Sequence, residues 1–518
     1  PGAVTINGNM DIKAPSYLNL DFTPDSPNKF IVNGTFSFDG NVNGNVAMNF
    51  QFFEVGTAGG IFKTGSAATG GVATSAGPGK LNISNSIFRN PRYEWYGVDH
   101  ADLFDNQFFG DSLFMDQTTG NWTLIDGNTF NIRSTAFTSK LLNTWIYYQS
   151  GSRIANNITG AKGNAYKGNL RFAQLNSSAN NYIQAYVGYG AMDSIYGTLC
   201  TDFRDFGYLY LAHNNANISK VWVGGDMKLT SPTTGQLGYL YATTGQVNVV
   251  GNMDVNWRRV DVDITPTSPN KFQVGGIFNF DGNDTGDPSM EFQFFEVGTK
   301  GGSFLTGDAA SKLARITSPC QTYTNGNQTP CVGPGNLNIR NSIFKNDTIK
   351  TFGVNEFSLF DNTFEGSLAH FQKTTTGYSF SDGNKFTVDS TVFDSYITSG
   401  QLWSGTRNTS VTGGTKNTYK NLTFLSSASG ASSLNTGISM HGSDSIYGNL
   451  NVFYKNIDKL HIGYQASGST AVTNITGDFN FTHTGNTHNG DGNISAQYGK
   501  GTRINGNANF NIGTGRID

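Results

Sequence analysis

The stretch that decides the fold runs from Ser26 to Gly65 and reads SPNKFIVNGTFSFDGNVNGNVAMNFQFFEVGTAGGIFKTG. It returns from Ser268 to Gly307 as SPNKFQVGGIFNFDGNDTGDPSMEFQFFEVGTKGGSFLTG, with 27 of the 40 aligned positions identical. Self-similarity at a fixed period indicates an array built from one structural unit. The sequence therefore predicts two tandem copies of a unit that is about 245 residues long.

Three equivalent openings mark where copies of the unit begin. They are Ile6-Asn7-Gly8-Asn9, Val249-Val250-Gly251-Asn252 and Ile504-Asn505-Gly506-Asn507. We expect residues 1–245 to form the first unit, residues 246–501 the second, and residues 502–518 the first rung of a truncated third unit.

The composition is that of a folded chain with little net charge. The 518 residues include 34 basic and 37 acidic side chains, which gives a formal charge of -3. Nucleic-acid binding needs a basic surface, so this balance argues against a nucleic-acid partner. No apolar run reaches about 18 residues, so no membrane span is predicted. Because the sequence begins at Pro1 with neither a methionine nor a signal peptide, we interpret it as a processed or excerpted mature chain.

Short runs of alternating apolar and polar residues recur along the chain. Examples are FSF at 36–38, FQF at 50–52, and LNI at both 81–83 and 337–339. Alternation over a few residues between turn residues is the pattern of a β-strand. Sustained helical patterns are absent from the sequence, so we predict an all-β protein.

The spacing of asparagines favours a solenoid among the all-β architectures. Intervals of 21 and then 22 residues separate three asparagines in each unit: Asn85, Asn106 and Asn128, and Asn341, Asn362 and Asn384. An apolar residue follows two positions later each time: Ile87, Phe108, Phe130, Ile343, Phe364 and Phe386. One coil of a parallel β-helix has about this length. We therefore expect the asparagines to stack on successive coils, with the apolar residues buried beneath them.

The motifs Asn-Ser-Ile-Phe, Asp-Asn-Thr-Phe and Gly-Asn-Thr-Phe at these positions resemble those of right-handed parallel β-helix proteins. The resemblance is clearest over residues 80–140 and 336–396, and it implies an all-β, parallel β-helix (solenoid) fold. Proteins of this kind include bacterial adhesins and other surface proteins, polysaccharide lyases and hydrolases, and phage tailspikes. The resemblance therefore specifies architecture more than function.

One loop in each unit carries oxygen-bearing residues in the order found in calcium loops. These residues are Asp39, Asn41 and Asn43 in the first unit, and Asp281, Asn283, Thr285 and Asp287 in the second. Their spacing resembles the front half of a calcium-binding loop, although the closing glutamate is replaced by phenylalanine. Calcium is the one candidate cofactor, and a tight turn without metal is the alternative.

Paired carboxylates one coil apart form a second candidate site. Asp105 and Asp126 are 21 residues apart, as are Asp361 and Asp382. Such pairs can hold calcium or act as acid and base in polysaccharide cleavage. A lyase also needs a nearby cation, for which the first unit offers Arg89 and Arg133. Local backbone bonding by turn aspartates explains the pairs as well.

Two aromatic clusters of the first unit have no counterpart in the second. One contains Trp95 and Tyr96, and the other contains Trp145 and Tyr147. Exposed rings bind carbohydrates by stacking on sugar faces, which makes these residues candidate glycan or partner contacts. The alternative is that they pack a flanking loop or form a subunit contact.

The three cysteines bear on the redox compartment. Cys320 and Cys331 flank a turn-rich loop that the first unit lacks, and we predict a local disulfide between them in an oxidising compartment. A pair of unlinked thiols is the alternative. We expect Cys200 to be a small buried apolar residue.

The motif Asp-Ser-Ile-Tyr-Gly occurs at 193–197 and again at 444–448. Aspartate followed by serine or threonine and an apolar residue resembles the acceptor of a bacterial O-glycosylation system. Ser194, Ser445 and Thr348 are therefore candidate acceptors. A structural turn explains the duplicated motif equally well.

These observations predict a non-enzymatic, extracellular structural or adhesive protein, the repeat unit of a bacterial cell-surface filament, sheath or adhesin. Its expected partners are copies of itself stacked head to tail, neighbouring repeat units, and surface glycans. The alternative is a carbohydrate-active or carbohydrate-binding β-helix, such as a polysaccharide lyase, a glycoside hydrolase or a phage tailspike.

Overall fold

The computed structural model of the protein describes residues 3–13, 17–21, 29–39, 47–51, 54–55, 60–65, 79–117, 121–139, 145–155, 157, 159–174, 182–203, 206–214, 218–230, 238–242, 244–257, 259–262, 271–281, 289–293, 295–297, 302–306, 335–374, 377–395, 399–408, 414–426, 433–455, 459–463, 471–484, 493–495, 501–512 and 516–517. They form strands, bends and turns, and none of these residues lies in a helix.

The strands before residue 257 are β1 Ala3–Ile6, β2 Met10–Lys13, β3 Tyr17–Asp21, β4 Lys29–Val32, β5 Phe36–Asp39, β6 Ala47–Gln51, β7 Glu54–Val55, β8 Ile61–Thr64, β9 Lys80–Ser84, β10 Ile87–Phe88, β11 Arg92–Val98, β12 His100–Phe104, β13 Gln107–Gln117, β14 Trp122–Asp126, β15 Thr129–Ser139, β16 Trp145–Ser150, β17 Ala165–Tyr166, β18 Asn169–Gln174, β19 Tyr182–Val187, β20 Met192–Ile195, β21 Leu199–Asp202, β22 Phe206–Leu211, β23 Lys220–Val223, β24 Met227–Thr230, β25 Gly238–Ala242, β26 Gln246–Val249 and β27 Met253–Asn256.

The strands after residue 257 are β28 Arg259–Val262, β29 Lys271–Val274, β30 Phe278–Asp281, β31 Ser289–Gln293, β32 Phe295–Val297, β33 Ser303–Thr306, β34 Asn336–Arg340, β35 Ile343–Phe344, β36 Thr348–Val354, β37 Glu356–Phe360, β38 Thr363–Phe364, β39 Leu368–Lys373, β40 Tyr378–Asp382, β41 Lys385–Phe386, β42 Ser390–Ser395, β43 Ser399–Ser404, β44 Thr418–Tyr419, β45 Leu422–Ser426, β46 Ser433–Ile438, β47 Ser445–Ile446, β48 Leu450–Tyr454, β49 Lys459–Ile462, β50 Val472–Ile475, β51 Phe479–His483, β52 Asn493–Ser495, β53 Gly501–Ile504, β54 Ala508–Ile512 and β55 Arg516–Ile517.

The chain divides into two compact units. Unit 1 consists of Pro1–Trp257, Asp263–Lys271 and Ile316–Thr324, and unit 2 consists of Arg258–Val262, Phe272–Arg315 and Asn325–Asp518. The boundaries that the repeats suggest, at residues 245 and 501, stay a prediction.

Strands pair in parallel with strands of the next turn of the chain. In unit 1, β13 pairs with β15, which places Phe108 opposite Phe130 and Leu113 opposite Thr135. A second sheet of the same unit runs through β14, β16, β19, β22 and β25 in that order. The prediction of an all-β protein is confirmed for the described residues, and their long parallel sheets are compatible with a β-solenoid.

A stack of aromatic rings lies in the core of each unit. Consecutive ring centroids are 4.7–5.4 Å apart in unit 1, along Phe36, Phe62, Phe88, Phe108, Phe130 and Tyr166. The matching distances in unit 2 are 4.7–5.2 Å, along Phe278, Phe304, Phe344, Phe364, Phe386 and Tyr419. The side chains of both stacks are buried. Each ring contact adds roughly 0.5–1.5 kcal/mol beyond the burial of apolar area.

Beside the ring stack of unit 1 runs a buried column of side-chain amides. Asn106 Nδ2 donates to Asn128 Oδ1 at 3.0 Å, and Asn128 Nδ2 donates to Asn164 Oδ1 at 3.0 Å. Asn164 Nδ2 in turn donates to Asp193 Oδ1 at 3.0 Å. Each Oδ1 also accepts a backbone N–H from the preceding coil, so the column satisfies polar groups that would otherwise be buried without partners.

Unit 2 contains the same column. Asn362 Nδ2 donates to Asn384 Oδ1, Asn384 Nδ2 to Asn417 Oδ1, and Asn417 Nδ2 to Asp444 Oδ1, at 2.9, 3.2 and 3.1 Å. Burial raises the pKa of Asp193 and that of Asp444 to about 6. Both units therefore end a neutral amide column on a buried carboxyl group. We call each set the Asn–Asp column.

The predicted stacking is correct for two of the three asparagines and wrong for the first. Asn85 is exposed, and the residue that meets Asn106 is Ser86, whose N–H donates to Asn106 Oδ1 at 2.9 Å. Phe88 is buried on Phe108, whereas Ile87 is only partly buried. The same shift occurs at Ser342 in unit 2, where Ser342 N–H donates to Asn362 Oδ1.

A second bend explains the recurring Gly-Asn and Gly-Asp pairs. Asn449 Oδ1 accepts the N–H of Asp478, and Asp478 Oδ1 accepts the N–H of Asn507, at 2.9 and 2.8 Å. A Cβ on Gly477 would lie 2.4 Å from Asn449 Oδ1, closer than real contacts allow. Glycine is therefore needed where one coil passes over the side chain of the coil before it.

Candidate functional site

The proposed calcium loops lie mostly outside the described residues. Asp39 is described, and its Oδ2 lies 4.0 Å from Lys13 Nζ. It faces an open groove of about 420 Å³ whose lining includes Asp11 and Lys63. The remaining candidates lie outside the described side chains: Asn41, Asn43, Asp281, Asn283, Thr285 and Asp287. No cluster of three or more metal-ligating side chains occurs in the described part of the chain, and calcium binding stays a prediction.

The carboxylate pair of unit 1 is held together by an arginine. Arg153 Nη2 lies 2.6 Å from Asp105 Oδ1, and its Nε donates to Asp126 Oδ2 at 2.7 Å. Lys162 Nζ also donates to Asp105 at 2.8 Å. Burial alone would raise the pKa of Asp105, but the bonds from Arg153 and Lys162 outweigh it and lower that pKa. The guanidinium lies 5.4 Å from the ring of Phe104.

Unit 2 repeats this arrangement with Arg407. Its Nη2 donates to Asp361 at 2.6 Å, and its Nε donates to Asp382 Oδ2 at 2.8 Å. The guanidinium lies 5.2 Å from the ring of Phe360. Of the two cations expected from the sequence, Arg89 instead lies over Phe109, and Arg133 pairs with Asp111. Arg153 and Arg407 were missed because they follow β16 and β43, 27 and 25 residues after Asp126 and Asp382, and so do not recur at the spacing of 21 and 22 residues.

The aromatic residues predicted to contact a glycan or partner differ in how far they are exposed. Trp95 is buried and packs edge-on against Phe62, so it is not available to a ligand. Tyr96 is partly exposed, with its ring 5.3 Å from that of Phe114. The backbone of Trp145 begins β16, and its side chain lies outside the described set.

Tyr147 is partly exposed and belongs to a larger aromatic surface of unit 1. Its ring stacks on Trp122 at 4.2 Å, and Trp122 lies 6.5 Å from Tyr186. Beyond Tyr186, the next two strands of the sheet continue the surface with the sequence GYLY, at 207–210 and at 238–241. This repeated tetrapeptide was the signal that could have revealed the surface from sequence.

Five tyrosines of strands β19, β22 and β25 form what we call the tyrosine array: Tyr186, Tyr208, Tyr210, Tyr239 and Tyr241. Tyr186, Tyr210 and Tyr241 are in register and form one column, with ring centroids 4.5 and 5.2 Å apart. Tyr208 and Tyr239 form the second column, 5.0 Å apart. The two columns are 6.2 Å apart, measured from Tyr208 to Tyr210 and from Tyr239 to Tyr241.

The rings of the array cover one another and present their edges outward. Planes within the columns are nearly parallel, at 9°, 16° and 11°. A sugar ring binds best to an open aromatic face, and stacking between coils occupies those faces. Burial, followed by the neighbouring tyrosines, raises the pKa of Tyr186, Tyr208 and Tyr210, so their phenols are protonated at neutral pH.

At the described positions of unit 2 that match the array, other residues replace the tyrosines. Tyr186 lies seven residues before Asp193, and the residue seven positions before Asp444 in unit 2 is Gly437. On the next strand, the register places Lys459 and His461 where unit 1 has Tyr208 and Tyr210. The two units therefore keep the same strand pairing and differ in the groups on this face.

The candidate O-glycosylation residues lie in or beside the sheets. Ser194 is partly exposed within β20, Ser445 is 6% exposed within β47, and Thr348 is partly exposed at the start of β36. The aspartates of the duplicated motif, Asp193 and Asp444, are the ends of the Asn–Asp columns. Column formation gives the motif a structural role, and glycosylation stays a prediction.

Cys200 is fully buried, as expected, but it is also disulfide-bonded. Its partner lies outside the described residues, as do Cys320 and Cys331. A chain with three cysteines forms at most one internal disulfide, so a bond to Cys200 and the predicted local bond exclude each other.

No protein-family model matches the chain, and no curated protein matches it. Nothing in the described part of the chain is a helix with the length and apolar character needed to cross a membrane.

Proposed function

We propose that the chain is a non-enzymatic structural protein: a parallel β-helix of two tandem units that serves as the repeat unit of a bacterial cell-surface filament, sheath or adhesin. The observation that supports this most is the duplicated Asn–Asp column. Both copies keep the residues that stack coil on coil, whereas the outward face differs at the tyrosine array. A repeat kept for its shape has this pattern of retained interior and varied surface.

The proposal includes head-to-tail contact with a second copy or with a neighbouring repeat unit. Strand β54 pairs with β51, which places Phe510 opposite the buried Phe481. The openings Ile6-Asn7-Gly8-Asn9 and Ile504-Asn505-Gly506-Asn507 are two versions of the same rung. Stacked repeats contact only their neighbours, so a rung of this kind in one copy can take the place of the next rung in another. A contact between two different surfaces does not close on itself and can extend into a filament.

Negative-stain electron microscopy of the full chain tests this assembly. We expect oligomers that grow with protein concentration and that are lost in a variant lacking residues 502–518, whose circular dichroism remains that of a β-protein. Repeating the images with EDTA tests whether calcium takes part. A wild-type chain that is strictly monomeric at high concentration would exclude assembly through this rung.

A carbohydrate-active or carbohydrate-binding β-helix is the second candidate function. The aromatic surface around Tyr147 and the tyrosine array favours it, since aromatic residues are common at glycan sites. Two features weigh against it: the array presents ring edges, and the paired aspartates are bound by Arg153 and Arg407. Incubation with neutral and acidic polysaccharides, followed by assays for binding and for new chain ends, decides between the two functions.

A further inference from the structure

We propose that the tyrosine array is a site of oxidative cross-linking, at which a peroxidase and hydrogen peroxide join tyrosines of neighbouring coils as dityrosine. The cross-link would fasten one coil covalently to the next within a single chain. The inference goes beyond the structural function proposed above and does not depend on end-to-end assembly.

The register of the sheet brings the reacting rings together. Tyr186 and Tyr210 are directly opposite each other on paired strands, as are Tyr210 and Tyr241, and Tyr208 and Tyr239. Because these strands are parallel and in register, equivalent ring atoms lie above one another. The carbons next to each hydroxyl-bearing carbon are therefore separated by about the distance between the ring centroids, 4.5 Å for Tyr186 and Tyr210. Bond formation then requires the two neighbouring rings to tilt toward each other until those carbons meet.

The reaction balances with one molecule of peroxide for each cross-link. Each of two phenols loses one electron to the peroxidase and its hydroxyl proton to solvent, which leaves two phenoxyl radicals. The radicals join through a new carbon–carbon bond between the ortho carbons. Each of these carbons then releases its hydrogen as a proton, and both oxygens regain a proton. Two tyrosines thus lose two hydrogen atoms in total, and hydrogen peroxide takes up two electrons and two protons to become two molecules of water.

Proximity favours this product over other fates of the radical. A tyrosyl radical in solution must meet a second radical by diffusion, whereas the array holds the partner ring in contact. Intramolecular reactions between groups held in contact gain large effective concentrations. The array residues other than Tyr186 are partly exposed on an outward face, where electrons can pass to an external oxidant.

The rest of the chain supplies internal comparisons. Tyr166 and Tyr419 also stack on other rings, as members of the aromatic ring stacks in the cores of the two units. Both are fully buried, and their stacked neighbours are Phe130 and Phe386. Tyr447 is 61% exposed, the most exposed of the large apolar and aromatic side chains in the described part of the chain, and it lies in unit 2. Reactivity governed by exposure alone would therefore select Tyr447, whereas reactivity governed by ring pairing would select the array.

The test uses the full chain at low concentration with horseradish-type peroxidase and hydrogen peroxide. We expect dityrosine fluorescence, a chain that remains monomeric on a denaturing gel, and cross-linked peptides that join Tyr186 to Tyr210, Tyr210 to Tyr241, or Tyr208 to Tyr239. Tyr210→Phe keeps the ring and its stacking but removes the oxidisable hydroxyl. In that variant the two links through position 210 should be lost and the link between Tyr208 and Tyr239 kept. Tyr447→Phe is the matched control and should leave the pattern unchanged.

Two results would overturn the proposal. One is a set of links that map to Tyr447 or Tyr196 and form mainly between chains as the concentration rises. The other is the absence of dityrosine from the wild-type chain under conditions in which a free tyrosine peptide reacts. Peptide mapping of the wild-type chain decides the question even where a variant folds poorly.

Discussion

The backbone N–H and the side-chain amide of Asn164 both donate to Oδ1 of Asp193, at 2.7 and 3.0 Å. Asp193 Oδ2 accepts the N–H of Gly188 at 2.6 Å, so the carboxyl group acts only as an acceptor. On the next coil the register places Val221, which has no polar side chain to continue the column, opposite Asp193. An asparagine at 193 would have to turn its NH2 group toward either the N–H of Gly188 or the donors of Asn164, so that donor faces donor, which explains why the column ends on an aspartate.

The buried carboxyl groups predict a dependence of stability on pH. Burial raises the pKa of Asp193 to about 6 from 3.8. A folded-state pKa above the unfolded value contributes stability that is fully present below pH ~4 and is lost as pH rises through ~6. The contribution that is lost is about 3 kcal/mol. Urea unfolding of the wild type and of Asp193→Asn, measured at pH values between these two, tests the assignment. As pH rises, the free energy of unfolding of the wild type should fall by about this amount relative to that of the variant. A difference that stays constant with pH would contradict the assignment.

Removing Arg153 should destabilise unit 1 strongly. Asp126 is fully buried, and the guanidinium of Arg153 is its partner cation. Loss of one partner of a buried ion pair leaves an uncompensated charge, so Arg153→Gln should lower the free energy of unfolding by about 2–4 kcal/mol. Arg133→Gln is the control, because its pair with Asp111 is exposed and should matter by less than about 1 kcal/mol. Equal effects in chemical denaturation would show that Arg153 has no special role.

Phe108 should be among the most sensitive positions of the core. It is fully buried between Phe88 and Phe130, with ring centroids 5.2 and 5.1 Å away. Phe108→Ala should lower the free energy of unfolding by about 3–5 kcal/mol, because the neighbouring coils are held apart by strand pairing and the cavity does not close. The adjacent Phe109 is partly exposed, and its replacement by alanine should cost clearly less. Thermal unfolding of the two alanine variants and the wild type compares their loss of stability.

Non-reducing peptide mapping decides between the two possible cysteine pairings. The sequence predicts a bond between Cys320 and Cys331, whereas Cys200 is disulfide-bonded in the fold. Intact mass before and after reduction should show one bridge, and the peptide containing Cys200 should migrate as a cross-linked species. A freely alkylated Cys200 without reductant would restore the local pairing, and two further free thiols would remove the argument for an oxidising compartment.

The coil period could be read from the sequence, but its exact register could not. Asn85, Asp105 and Gly127 adopt left-handed backbone conformations, with φ of 50°, 57° and 70°. Asparagine is favoured at left-handed positions and also occurs at the next position, in the Asn–Asp column. The residue type alone therefore does not tell a turn asparagine from a column asparagine. Burial distinguishes them, because Phe88 faces the core and Asn85 faces solvent.

The outward face was harder to predict than the core. Trp95 lies in an alternating strand with Tyr93, and both point inward, so the cluster expected to be a contact surface is part of the interior. Beyond Asn128, the steps of the Asn–Asp column and the Arg153 link join residues that are 36, 29 and 27 positions apart in sequence. Such contacts depend on the lengths of the intervening connections, which a search for a fixed spacing does not capture.

The direction of the Asn–Asp column has a consequence for how such a chain can lengthen in evolution. Every asparagine in it accepts from the coil before and donates to the coil after, so an added coil with its own asparagine fits between Asn128 and Asn164 without disturbing either neighbour. Adding a coil after Asp193 is different, because its Oδ2 already accepts the N–H of Gly188 and the next coil places Val221 opposite it. New coils can therefore be inserted between any two asparagines of the column, whereas the aspartate determines the coil at which the column ends.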